Sequence, residues 1–171
     1  MSTSRDSYSV FLVDDDKMFL SSLKNTLNQQ FKSGVVVSTF TNGEECLKKI
    51  EASPDIVVLD YYLNDDQHPN AMDGMEVLKK IKETSQDSMV IMLSGQDKLQ
   101  VALDSIKNGA YEYVAKSESA FVRIQNVIKN SLANIKDARE NKTYQKWNII
   151  MAVTIFVVLL IDVIYYYAGH Y

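Results

Sequence analysis

Five short apolar runs recur along this chain, separated by stretches whose apolar residues return every three or four positions. That alternation is the strongest constraint on the fold. Val10–Val13, Val35–Val37 continuing to Phe40, Ile56–Leu59, Met89–Leu93 and Tyr111–Ala115 read as short strands buried in a parallel sheet. The stretches between them read as amphipathic helices. The first carries Leu20, Leu23, Leu27 and Phe31, and the second Cys46, Leu47 and Ile50. Val77, Leu78 and Ile81 mark the third, and Leu99, Ala102, Leu103 and Ile106 the fourth. The last carries Phe121, Ile124, Ile128, Leu132 and Ile135. Pro54-Asp55 punctuates before the third strand, and Asn108-Gly109 stops the fourth helix. The pattern predicts an α/β fold: a doubly wound, five-stranded parallel sheet with helices on both faces.

In such a sheet the C-terminal strand ends share one edge, and ligands bind in the crevice outside it. Asp15, Asp60, Ser94 and Lys116 each fall at, or just after, the end of an apolar run. Carboxylates, a hydroxyl and an ammonium converging there suit a phosphoryl group handled with a divalent metal. Asp14, Asp15 and Asp16 have a simpler reading as a helix N-cap with favourable charges. Asp16, directly before the first helix, is expected to play that part. Three clustered carboxylates resist joint ionisation without a cation, so Asp14 and Asp15 read as metal ligands. The plain alternatives are a surface lysine for Lys116 and a turn residue for Ser94, which precedes Gly95.

The C-terminal part differs in kind. From Trp147 to Tyr167 the only ionisable side chains are Asp162 and tyrosines, over a length of about 20 residues, as a bilayer requires. Twelve Ile, Leu, Val and Phe residues favour insertion by about 4 to 7 kcal/mol. Asp162 opposes it by at most about 3 kcal/mol, less because it lies toward one end. It is either a helix–helix contact in the bilayer or a carboxylate reaching the interface. Trp147 and Tyr165, Tyr166 and Tyr167 resemble interfacial belts, while Arg139, Lys142 and Lys146 precede the span and no Lys or Arg follows it. The positive-inside rule then places residues 1–135 in the cytoplasm, 136–146 as a polar helical stalk, 147–167 across the membrane and 168–171 outside. A hydrophobic dimerisation or core helix is the alternative. The N-terminal apolar run is too short for a secretory signal and is interrupted by acids. The single cysteine, Cys46, suits a reducing compartment, and a net charge of −4 argues against nucleic-acid binding.

LVDDDKMF after the first strand, IVVLD at the third, MLSG at the fourth and YVAK at the fifth resemble the receiver domain of bacterial response regulators. MDGMEVLKKIK and NGAYEYVAK match it too, and the resemblance covers roughly Tyr8 to Ile135. It implies a flavodoxin-like strand order 2-1-3-4-5 and Asp60 as the acceptor of a phosphoryl group from a histidine kinase or phosphotransfer protein. It further implies Mg2+ held by Asp14, Asp15, Asp60 and the backbone carbonyl of Tyr62, with Lys116 and Ser94 meeting phosphoryl oxygens. Tyr113 would swing inward as Ser94 is drawn to that group, a two-state shift involving the fourth helix, fifth strand and fifth helix. The competing reading of Tyr113 is a plain strand aromatic. With no room for a DNA-binding output domain, output is expected through protein–protein contact or phosphate relay at the cytoplasmic membrane, with homodimerisation through the last helix and stalk as one form.

Two departures stand out. Ser117 replaces the family's usual proline after the lysine, so a cis peptide there is not expected. The loop 64–72 is about six residues longer than the family's common pattern and adds Asp65, Asp66 and His68 near the site, where they would screen the pocket or contact a partner. Tyr62 and Gln96 stand where the family tunes phosphoryl lifetime. Two other functions compete: a haloacid-dehalogenase-like phosphatase, which usually needs an acid where Tyr62 stands, and a membrane adaptor that keeps the fold without being phosphorylated.

Overall fold

A computed structural model describes residues 7–63, 71–95 and 99–168. Strands β1 (Tyr8–Val13), β2 (Val35–Phe40), β3 (Ile56–Asp60), β4 (Met89–Ser94) and β5 (Glu112–Ala115) form one parallel sheet, in the order β2-β1-β3-β4-β5. The alternation predicts the parallel sheet, and the receiver-domain resemblance implies this flavodoxin-like order. The helices between them are α1 (Lys17–Phe31), α2 (Gly43–Leu47), α3 (Gly74–Thr84) and α4 (Leu99–Lys107), and α5 (Ala120–Ala168) follows the sheet.

β3 lies at the centre and is buried along its whole length because both its neighbours and both its faces are covered. Its register pairs Val10 with Ile56 on one side and Ile56 with Met89 on the other, so the three central strands end nearly level. Leu20, Leu23 and Leu27 of α1 are buried, as their spacing predicts. On the other face, Val77, Leu78 and Ile81 of α3 join Phe11, Val13, Val57, Leu59, Val90 and Met92 in one core cluster. Asp16 caps α1 by accepting from the Met18 and Phe19 amides, as expected. A reciprocal capping box between Asp73 and Glu76 starts α3.

Two helices depart from their sequence reading. α2 stops at Leu47, and Ile50 reaches the core from a separate 3-10 turn, Ile50–Ala52, closed by Ser53 at φ 49°. Leu99, Leu103 and Ile106 of α4 do not cover the sheet: they are 74%, 46% and 48% exposed. The small Ser105 is the buried residue of α4, its hydroxyl donating to the Val101 carbonyl.

The chain divides into two units, Met1–Leu132 and Ala133–Tyr171. In the first, Ala120, Ile124 and Ile128 of α5 are buried. The second is helical to Ala168, and its large apolar side chains from Trp147 to Ile161 are exposed. It forms part of the one helix, among the described residues, that is long and apolar enough to cross a membrane. Thr154, the polar residue within Ile149–Ile161, donates its hydroxyl to the Ile150 carbonyl, so it adds no unpaired donor to the apolar surface. Asp65, Asp66, His68 and Gln96, residues 169–171, and the side chains of Lys142, Asp162, Tyr165, Tyr166 and Tyr167 lie outside the described set.

Candidate metal centre at the carboxyl edge of the sheet

The sheet brings its charged residues to one edge because each follows directly from a buried strand. Asp14 comes one residue after β1, Asp60 and Ser94 end β3 and β4, and Lys116 comes one residue after β5. Backbone pairing continues past the strand ends. The Asp14 amide donates to the Phe40 carbonyl, that of Tyr61 to Leu93, and that of Lys116 to Ser94 at 2.8 Å. These bonds fix the Cα positions from which the side chains reach inward.

At the centre, Lys116 Nζ lies 2.7 Å from Asp14 Oδ2 and 2.7 Å from Asp60 Oδ2. Both carboxylates are buried, with Asp14 1% and Asp60 3% exposed. Burial raises the pKa of Asp60 to about 6; the Lys116 hydrogen bond works against this, and the nearby Asp14 charge reinforces it. Burial also raises Asp14, again against the pull of Lys116. For Lys116 burial acts downward, but the hydrogen bonds it donates to Asp14 and Asp60 outweigh it and hold the ammonium above its ordinary value. Two buried carboxylates thus share one cation, and the site is short of positive charge.

That shortage has a geometric counterpart. Asp14 Oδ1 accepts from the Asp16 amide at 3.0 Å, whereas Asp60 Oδ1 is buried without a well-formed hydrogen bond among the described residues, the Tyr62 backbone acting on this carboxylate only weakly. One oxygen from each of Asp14, Asp15 and Asp60 can be chosen so that all lie within 4.8 Å of one another. Carboxylate oxygens this close together are the donors that would hold one hard divalent cation, which would supply the missing positive charge. Asp15 is exposed, whereas Asp14 and Asp60 are buried. An all-oxygen donor set, a weakly engaged buried carboxylate oxygen and a deficit of positive charge suit a hard divalent cation.

Other expected residues have definite places. Ser94 is fully buried, opposite Ala115 in the β4–β5 register. Tyr113 is half-buried against the core cluster, while Tyr111 stands just before β5 and is exposed. Tyr62 is partly exposed and meets the Tyr61 ring edge-on at 4.8 Å. All described peptide bonds are trans, that of Lys116 to Ser117 included.

Two contributors were not singled out from the sequence. A Cβ on Gly74 would lie 2.1 Å from the Asp60 carbonyl oxygen and 2.7 Å from Tyr61 Cα, so only glycine lets α3 pack this closely behind Asp60. Its amide donates to the Tyr61 carbonyl at 2.9 Å. The glycine directly after the capping Asp73 was the available signal. Phe19, on α1, sets its ring 4.9 Å from Lys116 Nζ; its helical spacing gave no hint of this.

A family profile described as response regulator receiver domain matches residues 10–129. Among curated proteins, the chemotaxis protein CheY of Listeria monocytogenes is 35% identical over 108 residues, covering 61% of this chain and 83% of CheY. The C4-dicarboxylate transport transcriptional regulatory protein DctD of Rhizobium meliloti is 31% identical over 112 residues, 66% of this chain but 23% of DctD. The chain thus spans less than half the length of the first transcriptional regulators it matches. Among solved structures, the BeF3-activated DrrB receiver domain superposes with a TM-score of 0.63 at 30% identity, covering 74% of this chain and 98% of that one. A CheY-like receiver domain protein from Methanospirillum hungatei gives 0.64 at 25% identity, covering 77% and 98%.

Proposed function

Since the chain belongs to the response regulator receiver domain family, we propose that it is a membrane-tethered phosphoacceptor whose Asp60 takes a phosphoryl group in a Mg2+-dependent reaction. The observation that carries this reading is the Asp14–Lys116–Asp60 bridge, with Asp60 Oδ1 only weakly engaged beside it. The donor is a histidine kinase or phosphotransfer protein. An Asp60 oxygen attacks phosphorus, the new O–P bond forms as the P–N bond to the donor imidazole breaks, and the electron pair leaves with that imidazole. Asp14, Asp15, Asp60 and the Tyr62 carbonyl would hold Mg2+, which supplies the charge that lets one anion approach another. Lys116 moves its ammonium from Asp14 to a phosphoryl oxygen, and the Ser94 hydroxyl donates to a second. Tyr113 follows Ser94 inward, transmitting the change to α4, β5 and α5.

In this reading residues 1–135 are the cytoplasmic receiver, 136–146 a stalk, 147–167 an anchor in the cytoplasmic membrane and 168–171 an external tail. Support for the anchor comes from its exposed apolar side chains and internally bonded Thr154. Output passes by contact with proteins at the membrane, a second copy of the chain among them, and not through nucleic acid.

The test is intact-mass spectrometry of the full chain in detergent micelles with a small-molecule phosphodonor and Mg2+. One added phosphoryl group, missing from Asp60→Asn and from a chelated sample, is the expected result. No addition with several donors, while Mg2+ still binds, would overturn the phosphoacceptor reading in favour of an adaptor. Extraction of the chain from membranes by alkaline carbonate would overturn the anchor.

A further inference from the structure

Lys116 is gripped from two sides by charge and from a third by an aromatic face. Its ammonium lies 4.9 Å from the centroid of Phe19. Phe19 meets Phe121 edge-on, with centroids 5.1 Å apart and planes at 73°. Phe121 belongs to the first turn of α5, five residues beyond Lys116, and the intervening segment turns through Ala120 N–H to the Ser117 carbonyl at 2.9 Å. Both rings are only half-buried, so they fill no deep core position that would explain them by packing alone.

From this arrangement we infer that Phe19, braced by Phe121, is a positioning residue that holds the Lys116 ammonium at the site edge. The inference builds on the phosphoacceptor reading. The segment after Lys116 is Ser-Glu-Ser, with the Ser117 and Ser119 hydroxyls 3.2 Å apart and exposed, so little beyond the backbone anchors the lysine from its own side. When phosphoryl transfer draws the ammonium away from Asp14, the aromatic face stays beside it as an uncharged partner that attracts the cation without competing for its hydrogen bonds. Through the edge-on contact, the same movement is felt at the start of α5.

The experiment uses the full chain in detergent micelles, with 13Cε-labelled lysine, and compares Phe19→Leu with Phe19→Tyr. Leucine keeps an apolar side chain and removes the π face; tyrosine keeps both. In the wild type without metal, the Lys116 ε-methylene resonance, assigned by its loss in Lys116→Met, is expected to be shifted upfield by the ring. The shift should vanish in Phe19→Leu and persist in Phe19→Tyr. With small-molecule phosphodonor at saturating Mg2+, Phe19→Leu should lower the maximal phosphorylation rate about three- to tenfold. Mg2+ affinity should stay within twofold, and tyrosine should restore the rate. A lysine resonance with no upfield shift in the wild type, or an unchanged rate in Phe19→Leu, overturns the inference. A rate lost equally in both variants also overturns it, since that marks a packing role. A wild type that takes no phosphoryl group refutes the phosphoacceptor reading and the rate arm with it, while the resonance arm still reports the clamp.

Discussion

Replacing Asp60 with Asn is expected to stabilise the metal-free protein at neutral pH and to lose that advantage in acid. An ordinary aspartate titrates at 3.8, and Asp60 in the folded chain at about 6, chiefly because it is buried. The folded state therefore binds the proton more tightly than the unfolded one. At about 1.4 kcal/mol per tenfold in proton affinity, keeping Asp60 ionised above pH 6 costs the fold on the order of 3 kcal/mol. The cost is absent below about pH 4, where both states are protonated, and grows as the pH rises through 6. Asparagine carries no charge at any of these pH values and keeps a carbonyl oxygen for Lys116. In chelator-containing buffer at pH 7.5, thermal unfolding of the full chain in detergent, followed by circular dichroism, should show Asp60→Asn raised by on the order of 10 °C. The difference should shrink steadily between pH 6 and pH 4. Equal or lower stability of Asp60→Asn at pH 7.5, or a difference that does not change with pH, would refute the claim that the site is short of positive charge.

Three further outcomes follow from the same geometry. Millimolar Mg2+ should raise the melting temperature of the wild type by mass action, and Asp15→Asn should weaken that rise while leaving the metal-free melting point equal or slightly higher, because Asp15 is exposed and its charge repels that of Asp14; differential scanning fluorimetry with a metal titration reads both. Lys116→Met should bind Mg2+ more tightly by calorimetry, since Asp14 is no longer shared, while its phosphorylation falls by at least tenfold; weaker Mg2+ binding would contradict the competition between ammonium and metal. Gly74→Ala forces a methyl against backbone atoms that cannot rotate away, and should lower stability by about 1–3 kcal/mol in urea titrations, whereas a neutral result would mean that α3 can withdraw from Asp60.

The strands were legible because a parallel sheet buried on both faces needs uninterrupted apolar runs, such as Ile56–Leu59 and Met89–Leu93; their order was not in the runs and came from the receiver-domain resemblance. Asp60 and Lys116 were legible for a related reason: a charge placed directly after such a run must emerge at the sheet edge, although the same reading marked Asp15 at the end of the first run where the buried bridge uses its neighbour Asp14. What periodicity could not supply was the occupant of a helix face. Leu99, Leu103 and Ile106 have the spacing of a buried stripe, yet they face outward and Ser105 takes the inner position, because spacing identifies an apolar face without saying what covers it. The break after Leu47 was likewise hidden, since Ile50 keeps helical phase with Cys46 although a different turn delivers it. Phe19 escaped for a third reason. Its partner Lys116 is 97 positions away, and no local pattern encodes a contact between a ring and a cation across the sheet edge.

The bridge from Lys116 joins residues separated by 56 positions at Asp60 and by 102 at Asp14. Chain synthesis delivers both acids long before the lysine. Wherever β5 is detached from the sheet, the two buried carboxylates lose their ammonium partner, and burial then favours their protonated forms. β5 is also a short, four-residue strand at the sheet margin, the kind of element that detaches first in native-state fluctuations. Attachment of the last strand and neutralisation of the site are thus one event, and amide exchange in β5 should report, residue by residue, on the charge state of a centre it closes.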